Sequence, residues 1–112
     1  MKNFLLFLGL FAASSAFLPP LNQFHCGSTD LEKIIAWKTL DEICSEQAVH
    51  ANRCCLEHDR CYEQQRSQAT CDDVFCECLY SKLQSRNCSY VATQFCGAVK
   101  IFGEKYYRNA VL

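Results

Sequence analysis

The sequence predicts a small all-α, disulfide-rich fold: two antiparallel helices clamped by disulfides, plus an N-terminal helix. Three observations carry this. Ten of the 112 residues are cysteine, above the density that marks a disulfide scaffold. Neither glycine nor proline occurs from Ser28 through Cys96, so the φ > 0 turns of tight hairpins have no residue to make them. Apolar residues and cysteines in that stretch recur at three- and four-residue steps, the period of a buried helix face. Eleven Lys and Arg against twelve Asp and Glu leave a formal charge of −1, which excludes a strongly basic nucleic-acid binder.

Residues 1–16 read as a signal peptide. Lys2 supplies the positive start, Phe4 to Ala13 is a short apolar run, and Ser14-Ser15-Ala16 offers small residues for cleavage after Ala16. The run is too short to span a bilayer, and Pro19-Pro20 ends any helix beyond it. The remaining domain, 17–112, holds all ten cysteines. A secreted, extracellular location with five disulfides follows. Structural zinc is disfavoured, because Cys54-Cys55 and Cys76-Glu77-Cys78 do not form a pair of CxxC knuckles.

Three helices can be placed in order. Thr29 with Glu32 makes a capping box that opens a helix over Asp30 to Cys44, with Leu31, Ile34, Trp37, Leu40 and Cys44 on its expected buried face. A second segment runs from about Glu46 to Arg66, where Ala51, Cys54, Cys55, His58, Cys61 and Tyr62 form one stripe. Thr70 with Asp73 opens a third, with Val74, Phe75, Cys78 and Leu79 facing inward and Asp72 and Asp73 at its positive end. Beyond Val91, Gly97 and Gly103 are expected to mark turns. Short connections make neighbouring helices antiparallel. Cys54 and Cys61 can then clamp the second helix to the third, either through Cys88 and Cys78 or through Cys78 and Cys71.

The chemistry-bearing string is Cys54-Cys55-Leu56-Glu57-His58-Asp59-Arg60-Cys61-Tyr62. A neutral imidazole held rigidly on a clamped helix is suited to take a proton from water. Asp59, about 100° round the helix, is placed to hold a hard cation beside that water, and calcium there would polarise an ester carbonyl. His25 and His50 have no partner pattern and are expected to be exposed. Lys100, Lys105, Tyr106, Tyr107 and Arg108 fit either a core edge, which the net acidity favours, or a membrane interface. Asn87-Cys88-Ser89 is a glycosylation sequon.

Cys-Cys-x-x-His-Asp-x-Cys, followed by Tyr62, resembles the active-site helix of the secreted phospholipase A2 family. Cys76-Glu77-Cys78 looks like the Cys-x-Cys that begins that family's second long helix. The resemblance covers roughly Asn52 to Cys88. It implies two long antiparallel helices joined by disulfides, His58 as the general base and Asp59 as the side-chain calcium ligand. The implied reaction is calcium-dependent hydrolysis of the sn-2 ester of a glycerophospholipid at a membrane surface.

Three departures weigh against activity. The family's glycine-rich calcium loop, just before this helix, is missing, and Cys26-Gly27-Ser28 is the nearest candidate. The family's histidine-orienting Asp follows the Cys-x-Cys, where this chain has Leu79, with Asp72 and Asp73 about two turns away. The interval from Cys61 to Cys71 leaves little room for the family's two-stranded wing. Two functions therefore stand: a phospholipase A2-type ester hydrolase with weakly held calcium, or a catalytically impaired scaffold that binds lipid or a secreted protein.

Overall fold

The computed structural model describes residues 21–111, so the expected signal peptide lies outside the described residues. Among the described residues four α-helices follow in order: α1 (Asp30–Cys44), α2 (Ala48–Glu63), α3 (Gln68–Lys82) and α4 (Arg86–Asn109), with a 3-10 turn at Ser45–Gln47 between α1 and α2. No strand occurs among the described residues. None of their helices is long and apolar enough to cross a membrane.

α1 begins as expected. The Glu32 amide donates to Thr29 Oγ1 at 3.1 Å, while the Ser28 and Thr29 amides donate to Glu32 Oε1 at 2.8 and 3.3 Å. This satisfies orphan donors at the helix start and at the turn leading into it. Its buried face is rotated from the expected one. Leu40 and Cys44 are buried and Trp37 packs edge-on against the buried Phe24, but Leu31 is 67% exposed. The preceding chain sets the rotation, because it lies along the Lys33 side, where Lys33 Nζ donates to the Leu21 carbonyl. Leu31 is about 200° round from Lys33.

α3 starts earlier than Thr70. Ser67 is its cap, with Oγ accepting from the Thr70 amide at 3.4 Å, and Thr70 and Asp73 lie inside the helix. Phe75 and Leu79 are buried, whereas Val74 is exposed. The glycines beyond Val91 do not break the chain, and both lie within α4. A glycine costs a helix roughly 1 kcal/mol. The buried Cys88, Val91 and Ala92, the partly buried Phe95 and Val99, and two disulfides outweigh that cost.

Five disulfides consume all the cysteines: Cys26–Cys55, Cys44–Cys88, Cys54–Cys78, Cys61–Cys71 and Cys76–Cys96. The second of the two expected clamps is the one formed. Cys54–Cys78 and Cys61–Cys71 tie α2 to α3 in antiparallel register. Cys76–Cys96 ties α3 to α4, and Cys44–Cys88 joins the end of α1 to the start of α4. α3 thus lies between α2 and α4, over a core of Phe24, Leu40, Phe75, Leu79, Leu83 and Val91.

Loop-closure entropy grows with the span closed. Removing Cys44–Cys88, which spans 44 residues, by paired Cys→Ala substitution should cost about 4 kcal/mol on that basis. Removing Cys61–Cys71, which spans 10, should cost about 2.5 kcal/mol. Denaturant unfolding of the two double variants checks the order.

Candidate functional site

His58 lies at the middle of α2, on the stripe that faces α3, one turn after Cys54 and one turn before Cys61. The two cystines bracket it, so neither helix can slide or roll away. Its side chain is 8% exposed, packed against the rings of Tyr62 (centroids 4.2 Å apart) and Phe75 (4.6 Å). Across the seam, Nε2 stands 2.7 Å from Asp72 Oδ1, and the Tyr62 hydroxyl donates to the same oxygen at 2.6 Å. Asp72 is buried. With Asp72 as acceptor of both bonds, the imidazole proton sits on Nε2 and Nδ1 keeps its lone pair.

Burial lowers the His58 pKa from its ordinary value; the hydrogen bond and the charge of Asp72 push the other way and are outweighed. The imidazole is therefore neutral near pH 7. Burial and Asp72 drive the Tyr62 pKa up, so its hydroxyl keeps the proton it donates.

The carboxylate that orients His58 is thus present. It follows Cys71, not the Cys-x-Cys at Cys76–Cys78. In the antiparallel register that both clamps share, residue 72 stands level with residue 60, midway between His58 and Tyr62. Leu79 is 0% exposed and belongs to the core, two turns further along α3. Cys76 faces α4, where it bonds Cys96. The seven-residue spacing of Cys71 and Cys78 matches that of Cys54 and Cys61, and this was the signal that could have selected Asp72. Leu79→Asp would place a carboxylate in the apolar core, and a thermal melt should find it strongly destabilised.

Asp59, the other expected site residue, does not join this network. Its side chain is 45% exposed, and among the described residues it accepts no hydrogen bond. Burial of the carboxyl, with the nearby Glu63 charge adding to it and Lys33 opposing, pushes its pKa up to about 7. Cys26–Cys55 brings the Cys26-Gly27-Ser28 turn against the same helix. The turn needs its glycine, because φ is +100° at Gly27 and a β-carbon there would meet the Glu32–Lys33 backbone within 2.8 Å.

His25 is not the free side chain the sequence suggested. Its amide donates to Asn52 Oδ1 at 2.7 Å, and its Nδ1 lies 4.0 Å from Asp59 Oδ2. Asn52 also donates to the Gln23 carbonyl, so one side chain pins the chain at two points. His50 is exposed, as expected.

Of the C-terminal cations and aromatics, Tyr106 and Tyr107 are half-buried, whereas Lys100, Lys105 and Arg108 are exposed. The Tyr106 hydroxyl donates to Glu32 Oε2 at 2.9 Å, Lys100 pairs with Asp73 at 3.3 Å, and Arg108 pairs with Glu104. Asn87 is exposed on the first turn of α4 although Cys88 is buried.

A phospholipase A2-like protein of Caenorhabditis elegans is 37% identical to this chain over 95 residues, which is 80% of the chain and 55% of that protein. The chain is a divergent member of the phospholipase A2-like family. It spans about half the length of the curated relative it matches. No family model matches the chain, and no solved structure gives a significant match.

The raised pKa of Asp59 carries a stability consequence. A carboxyl whose pKa is higher folded than unfolded makes the fold bind more protons, so its contribution falls as pH rises from about 4 to about 7. Asp59→Asn should therefore raise the melting temperature at pH 8 and leave it nearly unchanged at pH 4. Melts at both values check this.

Proposed function

We propose that this phospholipase A2-like protein is a secreted ester hydrolase that cleaves the sn-2 ester of glycerophospholipids at a membrane surface. The observation that carries the reading is the buried His58–Asp72–Tyr62 network. It presents a neutral imidazole with one nitrogen committed to a carboxylate and the other unprotonated. The family membership supports the substrate class, and five disulfides with no free cysteine among the described residues suit an oxidising, extracellular compartment.

The chain's own groups can be followed through the reaction. His58 Nδ1 takes a proton from water, and the hydroxide so formed attacks the ester carbonyl carbon. Asp72 stabilises the imidazolium through the Nε2 hydrogen bond, held in place by the Tyr62 hydroxyl. As the tetrahedral adduct collapses, the carbon–oxygen bond to the glycerol backbone breaks. Nδ1 returns the proton to the departing alkoxide, leaving a fatty acid and a lysophospholipid. A pocket of about 20 Å³ borders His58, walled by Cys54, Cys61, Cys71, Val74, Phe75 and Cys78. That is the size of one water.

The donor set around Asp59 fits a hard cation at one point. It offers a carboxylate free of hydrogen bonds from the described residues, next to a backbone turn tied down by Cys26–Cys55. Asp59 would be the side-chain ligand of calcium, with the remaining oxygens supplied by backbone and water. Calcium bound there would supply a positive charge beside the ester carbonyl. With a single carboxylate in place of a dedicated cage, affinity falls nearer millimolar than micromolar. This thin donor set is also the observation that favours the second reading, a lipid- or protein-binding scaffold without turnover.

Hydrolysis of anionic phospholipid vesicles by the oxidised protein, with calcium titrated to several millimolar, separates the two. The expected result is fatty-acid release that disappears in His58→Gln and falls by roughly 10²–10⁴-fold in Asp72→Asn, by analogy with loss of an orienting carboxylate in a protease triad. With calcium high enough to keep Asp59 ionised, the lowered His58 pKa should make the rate rise with pH through a midpoint below 6.5 and level off above it. No release at any calcium level overturns the hydrolase reading and leaves the scaffold.

A further inference from the structure

The two glycines of α4 differ. At Gly97 a β-carbon would have open space around it. At Gly103, which is buried, a β-carbon would overlap the Tyr62 hydroxyl and come within 3.5 Å of Gln68 Nε2. That hydroxyl is the group that donates to Asp72 Oδ1 at 2.6 Å.

The surrounding contacts bring α4 onto the α2–α3 junction at this level. Tyr107, one turn beyond Gly103, sets its ring edge-on to Tyr62, with centroids 5.2 Å apart at 85°. The Gln65 side-chain amide donates to the carbonyls of both Tyr62 and Tyr107, at 2.8 Å each, from a backbone position with φ +54°.

We infer that Gly103 is a positioning residue: its missing side chain is the space in which the Tyr62 hydroxyl reaches Asp72, and through Asp72 it sets the orientation of His58. Any side chain there must displace the hydroxyl or push α4 off the junction. Helix propensity argues the other way, since alanine is the better helix former at both glycine positions. The effect on rate rests on the hydrolase reading above, whereas the effect on geometry does not.

The test is a double-mutant cycle on the oxidised full chain. Gly103→Ala should lower kcat about tenfold, on the scale of one hydrogen bond, with KM unchanged. It should also shift the hydrogen-bonded imidazole N–H proton of His58 in the ¹H NMR spectrum. Tyr62→Phe should lower kcat to a similar degree. Added to Tyr62→Phe, Gly103→Ala should change neither reading further, because the atom it collides with is gone. Gly97→Ala should behave as the unmodified protein in both.

A Gly103→Ala protein with kcat and N–H signal unchanged overturns the inference. So does one whose loss repeats in full on the Tyr62→Phe background. If Gly103→Ala alone fails to fold, rescue by Tyr62→Phe supports the inference and failure of the pair overturns it. Should the unmodified protein release no fatty acid, the hydrolase reading fails, and the NMR cycle still decides the role of Gly103.

Discussion

The register between α2 and α3 is fixed covalently at two levels, and the His58–Asp72 pair depends on it. One clamp alone would leave the helices free to pivot about a single point. A second, two turns away and about 10 Å along the axis, removes both pivot and slide. His58 and Asp72 lie between the clamps on opposite sides of the seam, so their 2.7 Å separation is a consequence of Cys54–Cys78 and Cys61–Cys71. A domain this small could not rely on apolar burial for such placement.

Placing an imidazole and a carboxylate in that seam has an electrostatic cost, and the structure limits it in a particular way. An unpaired buried carboxylate is destabilising by several kcal/mol. Asp72 receives two donors on one oxygen, one from His58 and one from Tyr62, and among the described residues no side-chain oxygen or nitrogen with negligible exposure lacks a partner. The same burial keeps His58 neutral, because desolvation penalises the imidazolium more than the Asp72 charge favours it. Tyr62 does two jobs here: its ring walls the imidazole and its hydroxyl shares the carboxylate. The end of α4 therefore matters to the site without touching His58.

Much of this fold could be read from the sequence. The capping box, the absence of glycine and proline, and the three- and four-residue recurrence of cysteines located α1 to within its observed ends and made the centre helical. Two kinds of information were missing. Glycine was read as a turn, yet in α4 its cost is overridden by burial and by bonds to Cys44 and Cys76, neither of which local sequence reveals. The pairing of cysteines was left open between two registers, and only one of them puts Asp72 opposite His58. Placing the orienting carboxylate after the Cys-x-Cys puts it at Leu79, two turns away in the core, whereas it follows Cys71. His58 was legible from its motif; its partner Asp72 depended on the register.

The Asp59 side of the site follows a different logic from the His58 side. Here Cys26–Cys55 ties a single glycine turn directly to α2, and the Ser28 and Thr29 amides are taken by Glu32 to start α1. Glu32 is itself held by Tyr106 of α4. The segment that could have been a metal loop is thus spent on launching a helix and docking it. What remains there is Asp59, a half-buried carboxyl whose pKa is raised by partial desolvation and the Glu63 charge against the opposing Lys33. A proton would compete near neutral pH with any cation held there. The calcium ligation proposed for Asp59 would then depend on the short Gly27 turn, whereas the orientation of His58 is set by bonds that do not involve that turn.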